Sequence, residues 1–251
     1  MYNPADFANI ALTEETFWWF RGMRAISFAL LDPWIGAAGG RRVLEAGCGT
    51  GHFAAAVAER YGAEVVAMDL EREGLRYCRS RGGLMPAQAN IAALPFPNGA
   101  FDLVTSMDVI VHFPAGQEEA SFAELARVVR PGGLLLVRAA ALGVFRSRHS
   151  EFTWERQRLS RGRVAELARR QGLEVLRLTY ANFLLTPLAF VKFRLWEPLV
   201  RQAPASGLVP LPGWLDALLY TALALERRWL ARGLGFPWGQ SVYLLARKQA
   251  G

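Results

Sequence analysis

Val43-Leu-Glu-Ala-Gly-Cys-Gly-Thr-Gly-His-Phe-Ala54 is the stretch that decides the fold. Val43 to Ala46 read as a short buried strand. Gly47, Gly49 and Gly51 then open a helix that starts near His52. Glycines at alternate positions let the backbone turn sharply and approach a ligand that any Cβ would push away. The loop feeds a helix N-terminus, where free N–H groups and the positive end of the helix dipole favour a carboxylate or phosphate. The dinucleotide fingerprint requires its third glycine where His52 stands. Glu45, two residues before Gly47, suits a cationic ligand group and repels a pyrophosphate.

Working outward, the chain of 251 residues is long enough for one sizeable core with an elaboration. Its hydrophobic content of 52% excludes a disordered chain. Lys+Arg of 29 against Asp+Glu of 22 gives +7, and the excess is local: residues 138–170 hold nine Arg and three Glu. Two cysteines, Cys48 and Cys78, do not make a secreted framework. The opening residues lack a basic-then-apolar leader, and the apolar stretch Phe183–Val200 is interrupted by Lys192, Arg194 and Glu197. The expectation is a cytoplasmic protein without a transmembrane segment.

Taken in order, Thr13 is expected to cap a helix over 13–31. Four aromatics, Phe17 to Phe20, cover more than one of its faces. Core packing is the plainer reading for them, with Trp19 and Phe20 kept as candidates for a lid. Residues 65–69 form a second strand ending at Asp69, 18 residues beyond Gly51. An acid at that place in a doubly wound sheet points at ribose hydroxyls, because a carboxylate accepts from both O–H groups. Residues 71–81 read as a helix, 84–89 as strand three, and 102–107 as strand four. Ligands bind outside the C-terminal ends of parallel strands, which brings Met107 and Asp108 to the reacting group and His112 one turn later. Gln117–Val129 is an amphipathic helix. Arg130-Pro-Gly-Gly133 turns into strand five, 134–138. Residues 160–170 form a helix, 173–180 strand six, and 240–247 strand seven.

The pattern E-x-G-x-G-x-G after a hydrophobic strand resembles the cofactor loop of class I S-adenosylmethionine-dependent methyltransferases. Two more blocks resemble the same family: Asn90-Ile91 before Leu-Pro-Phe, and Arg-Pro-Gly-Gly before an apolar strand. The resemblance implies a doubly wound, Rossmann-like α/β sheet of seven strands with the last antiparallel. It implies S-adenosyl-L-methionine as cofactor, held by Glu45, Gly47, Cys48, Gly49, Gly51, Asp69, Leu70, Asn90, Ile91 and Met107. Asn90 stands where the family commonly has Asp to accept from the adenine amino group, and Ile91 would lie against the adenine ring. The loop around His149 resembles a bacterial small-molecule subgroup, in which an Asp often follows the His and further His and Tyr residues come later. Here Ser150, Glu155 and Leu159 stand at those places.

The domains expected are an N-terminal helical cap (1–40), a methyltransferase domain (41–181 and 240–251) and a helical insertion (182–239). Within the insertion, helices are expected at 184–202 and 213–232. Leu215, Leu218, Leu219, Ala222, Leu225 and Trp229 form the apolar face of the second. An acceptor lid leads the readings of this insertion, ahead of a dimer contact or a surface that meets lipid. The implied reaction is methyl transfer from the sulfonium to a small-molecule nucleophile through oxygen or nitrogen, with carbon less favoured. Asp108, His112 and His149 are the candidate bases for a hydroxyl acceptor. The arginines of the loop ending at Arg158 either attract an anionic acceptor or solvate a helix face. No metal cluster is visible. The rivals are a non-catalytic module that binds the cofactor, a nucleic-acid methyltransferase and an NAD-dependent dehydrogenase. Concentration of the charge in one loop counts against nucleic acid.

Overall fold

The structure is a computed structural model that describes residues 3–36, 40–200 and 203–249. A 3-10 turn, Pro4–Asp6, leads into α1 (Phe7–Thr13) and α2 (Trp18–Leu31). Then follow β1 (Arg42–Ala46), α3 (His52–Tyr61), β2 (Glu64–Asp69), α4 (Arg72–Ser80) and β3 (Leu84–Gln88). Next come β4 (Phe101–Met107), α5 (Glu118–Val128), β5 (Val129–Ala140), α6 (Arg148–Phe152), α7 (Arg161–Arg170) and β6 (Leu173–Ala181). α8 (Thr186–Phe190) continues through a π-helical turn, Val191–Trp196, into α9 (Glu197–Val200). α10 (Gly213–Ala231) precedes β7 (Ser241–Lys248).

The seven strands lie in the order β3-β2-β1-β4-β5-β7-β6. β3, β2, β1, β4 and β5 pair in parallel, and β7 runs antiparallel between β5 and β6. This is the Rossmann-like α/β sheet expected from the alternation of strands and helices, closed by an antiparallel last strand. Side chains alternate across it as a strand's period of two dictates. On β5, Leu135 and Val137 enter one core with Phe122 and Leu167, while Leu134 and Leu136 enter the other with Ile26, Val57 and Leu223. Both faces are covered, which is why β1 and β5 read as continuous apolar runs.

Four local expectations are corrected. Thr13 ends α1 rather than capping α2: its hydroxyl donates to the Asn9 carbonyl at 2.7 Å, and the chain turns before a second helix begins at Trp18. β5 begins earlier than Leu134, because Val129 already pairs with Phe101; Arg130 to Gly133 form a bulge before Leu103 meets Leu134. The helix expected at 184–202 holds a π-helical turn. The apolar face expected on α10 is split. Its buried face is Leu219, Leu223, Glu226 and Leu230, while Leu218, Leu225 and Trp229 point outward.

α10 packs on α2, and Gly22 sets how closely. A Cβ on Gly22 would stand 2.7 Å from the Leu223 Cβ, so only glycine permits this approach. Polar ties add to it. Asp216 Oδ1 accepts from the Trp18 N–H at 2.8 Å, and Glu226, wholly buried, accepts from the Leu184 N–H at 2.8 Å. Burial raises the Glu226 carboxyl to about 7, against the lowering effect of the backbone N–H groups of 182–184. Gly22→Ala should therefore destabilise the fold by about 1–3 kcal/mol despite alanine's better helix propensity. Leu223→Ala in the same chain should cost less than it does alone, because it opens room for the new methyl. Urea unfolding of both single variants and the pair checks this; additive losses would mean that the two residues do not press on each other.

Candidate functional site

The sheet order reverses between β1 and β4, so the loops that leave their C-terminal ends diverge and open a crevice. The glycine loop after β1 forms one wall. Gly47, Gly49 and Gly51 all have positive φ (+89°, +53°, +77°). The constraint is sharpest at Gly47, where a Cβ would lie 2.1 Å from the Val109 side chain. The loop is pinned to β2. The Met68 carbonyl accepts from the Gly47 and Cys48 N–H groups at 2.7 and 2.8 Å, and Asp69 Oδ2 accepts from the Gly49 N–H at 2.7 Å. Asp69 Oδ1 takes the Glu71 N–H at 2.9 Å. Each of its oxygens keeps a lone pair for a ligand. Burial raises its carboxyl, and the Glu71 and Gly49 N–H groups oppose that rise. Beneath the loop, Cys78 fills the space that a Cβ on Gly51 would need, with its Sγ 2.8 Å from it. Cys48 and Cys78 are both free thiols.

A cavity of about 150 Å³ lies beside the loop, between β1, the end of β4 and the N-terminal helices. Glu45 and Glu14 give it two carboxyl groups, Arg24 and Arg138 two guanidinium groups, and Phe20 and Met107 apolar walls. Glu45 is buried and accepts from the Thr105 hydroxyl. Burial pushes its carboxyl up to about 7, and the Thr105 hydroxyl and the Arg138 charge pull the other way. Arg138 closes the far side. Its Nε donates to Asp108 Oδ2 at 2.9 Å, and its guanidinium lies 4.9 Å from the centre of the Trp19 ring. Burial works against its charge, but Asp108 and Tyr243 together outweigh it and raise its pKa further.

The N-terminal helices bind down over the loop. Glu14 accepts from the Thr50 hydroxyl and from Arg81, whose Nε donates to the Thr50 carbonyl at 2.9 Å. Arg24 contacts His52, which Glu15 meets at 3.2 Å from the other side. Burial, with Arg24 adding to it, lowers His52 to about 4, so it is neutral at pH 7. Phe20 lines the cavity and Trp19 stacks under Arg138, which gives both lid candidates a place at its rim.

The other predicted residues are spread along the same edge. Leu70 is exposed just after β2. Asn90 turns its Oδ1 back to the Ala92 N–H at 2.9 Å, and Ile91 is buried in the core rather than offered as an open apolar face. The three candidate bases do not converge. Asp108, with φ +58°, is tied to Arg138. His112 faces the Trp154 carbonyl with Nδ1 at 3.4 Å, and burial lowers it to about 4. His149 accepts the Gly207 N–H on Nδ1 at 3.1 Å, and burial lowers it as well. The arginine-rich segment is satisfied in part within the chain. Arg158 pairs with Glu155, Arg163 with Glu118, Glu119 and Glu166, and Arg170 with Glu119 and Glu166. The ion pairs of Arg163 and Arg170 pack helices, while Arg146 and Arg156 of the loop stay exposed.

Sequence reading missed Arg24 and Arg138. Arg24 follows the aromatic run by one turn and could be placed only once α2 was known to cross the loop. Arg138 left a signal: a charged side chain closing the apolar run Leu134–Val137 must find a partner at the strand's C-terminal end.

A family model described as a methyltransferase domain matches residues 43–133. A fatty-acid O-methyltransferase of Mycolicibacterium smegmatis is 36% identical over 121 residues, covering 47% of this chain and 42% of that protein. A ubiquinone biosynthesis O-methyltransferase of Bordetella avium is 32% identical over 131 residues, covering 46% and 53%. The chain thus spans about half the length of these relatives. Among solved structures, the cyclase SpnF superposes with a TM-score of 0.60 at 20% identity, covering 93% of this chain and 83% of that one. Phosphoethanolamine N-methyltransferase 2 of Haemonchus contortus, in complex with S-adenosyl-L-methionine, gives 0.60 at 18%, covering 89% and 52%. At such identities these two show a shared fold and nothing finer. Residues 43–133, which carry the glycine loop and the sheet edge it opens on, are thus similar to a methyltransferase domain.

Proposed function

We propose that this chain binds S-adenosyl-L-methionine at the glycine loop and transfers its methyl group to a small-molecule nucleophile. The observation that carries this reading is the donor set of the cavity. Glu45, Arg24 and Arg138 beside a backbone cradle suit a zwitterionic amino-acid end, with Glu45 toward the ammonium and Arg24 and Arg138 toward the carboxylate, while the second acid, Glu14, is held by Thr50 and Arg81. A pyrophosphate would face Glu45 at close range, which argues against a dinucleotide. Asp69 is the acceptor for ribose hydroxyls. The adenine would lie between Leu70 and the Asn90–Ile91 turn.

When bound, the cofactor supplies an electrophilic methyl on a sulfonium. The residues of the chain hold that group at the end of β4 beside Met107, keep water from it with Trp19 and Phe20, and orient the partner. Relatives named as O-methyltransferases support oxygen as the acceptor atom to test first. For a hydroxyl acceptor, His112 is the base to test. A carbonyl facing its Nδ1 requires the proton there and leaves the lone pair on Nε2. Residues 182–239 act in this reading as a cap on the acceptor side, tied there by the Arg148 N–H to Glu197 and the Gly207 N–H to His149. No observation favours a module without turnover.

Calorimetric titration with S-adenosylhomocysteine tests the cofactor reading, with NADH as control. Saturable binding to the first and none to the second is expected. Asp69→Ala should weaken it by roughly 10-fold or more, as loss of charged hydrogen bonds implies. Unchanged affinity would remove Asp69 from the site. The protonation of Glu45 sets a second expectation. Its carboxyl sits near 7 without ligand, and an ammonium group favours the ionised form, so below pH 7 binding must first expel a proton. Affinity should therefore fall on going from pH 8 to pH 6, by up to about tenfold per unit, and Glu45→Gln should be weaker at pH 8 but flat across that range. A wild-type profile as flat as that of the variant would sink the role given to Glu45.

A further inference from the structure

Residues 182–239 carry a surface that the cap reading does not use. Among the described residues, 14 of the 21 exposed large apolar side chains lie in this stretch. On α10, Trp214, Leu218, Leu225 and Trp229 recur at helical spacing along the face opposite the one packed on α2. Trp214 is 70% exposed. Between 186 and 200 only Ala189 is buried, while Leu188, Leu195, Trp196 and Leu199 are exposed on different sides of the turns. A helix that is apolar on nearly every side is normally covered.

The charges around these side chains are sorted by sign. Every acid of the stretch is turned inward or held: Glu226 is buried, Asp216 pairs with Arg21 at 3.3 Å, and Glu197 accepts the Arg148 N–H at 3.0 Å. Lys192, Arg194, Arg227, Arg228 and Arg232 are all exposed. Arg228 and Arg232 extend the apolar stripe of α10 at its C-terminal end. The face therefore combines tryptophan and leucine with a purely cationic fringe. A second copy of the chain would bring that fringe against itself. An anionic bilayer surface meets both halves at once, because it takes the rings at headgroup depth and attracts the cations. Among the described residues no helix is long and apolar enough to cross a membrane, so the contact is one that lies on the surface.

We propose that α8, α9 and α10 form a face that docks onto an anionic lipid surface, and this holds whether or not the chain transfers methyl groups. Docking would bring the cap side of the crevice to the membrane, where an acceptor dissolved in lipid could enter.

Flotation of the full chain with vesicles tests this. Vesicles of phosphatidylcholine alone are compared with vesicles that also contain phosphatidylglycerol. The chain should float with the anionic vesicles and much less with the neutral ones, and added salt should release it. Arg228→Glu with Arg232→Glu should weaken binding at least about tenfold, since each cation near such a surface is worth roughly fivefold. Trp214→Glu with Leu218→Glu should abolish it. These side chains are exposed, so thermal melting should be unchanged, and that measurement separates lost docking from lost fold. Equal flotation with neutral and anionic vesicles, or none with either, would overturn the proposal. So would a dimer in light scattering that the Trp214 and Leu218 substitutions dissolve, because the face would then be a contact between copies. S-adenosylhomocysteine binding by the same preparation is read separately and does not bear on the outcome.

Discussion

The hydrogen bond from the Gly49 N–H to the Asp69 carboxylate is the constraint on which the crevice depends. It joins the loop after β1 to the end of β2 and fixes the height of three residues with left-handed backbone. Without a partner for that N–H, a loop of glycines would sample many conformations and lose the entropy advantage of a preformed cradle. The same carboxylate accepts the N–H of Glu71, the residue that precedes α4, so one side chain sets the loop and the start of a helix. The bonds from Gly47 and Cys48 to the Met68 carbonyl repeat the tie one residue earlier. The burial that lets Asp69 do this also raises its carboxyl, and the two N–H groups offset part of that cost.

Legibility in the sequence follows the range of the interactions involved. The glycine loop, the acid at the end of β2 and the strand–helix alternation are set by local chemistry, and they are where the sequence places them. The antiparallel β7 was expected only through the family resemblance, since pairing across a gap of 59 residues leaves no local trace. The helical expectation over 13–31 failed at Thr13 because a threonine serves equally well at a helix start and, by donating to the carbonyl four residues back, at a helix end. Asp108, His112 and His149 were grouped by their positions after parallel strands. Their partners, Arg138, the Trp154 carbonyl and the Gly207 N–H, come from 30 to 58 residues away and could not be foreseen.

The apolar stripe of α10 teaches a related point. Periodicity shows that a helix has an apolar face, but a helix with two such faces cannot say which one meets the core. Gly22 and Leu223 decide it by shape, because only the Leu223 side can sit against the gap that a glycine leaves on α2. Glu226 then lies inside, where it closes the turn at Leu184, although a hydropathy pattern would have put a glutamate outside. The face left over keeps its tryptophans exposed.

Burial sets the protonation of the site more than ion pairing does. Glu45 and His52 lie beside arginines, yet burial dominates both, lifting the one toward 7 and lowering the other toward 4. The outcome is a cavity whose fixed charge comes from Arg24 and Arg138, with a carboxyl group poised to ionise when a cation arrives. A group with only a positive charge would face two guanidinium groups, whereas one with both signs would meet them together with Glu45 as it ionises. The preference for a zwitterion proposed for this cavity rests on where Glu45 is buried and on Arg24 and Arg138 at its wall.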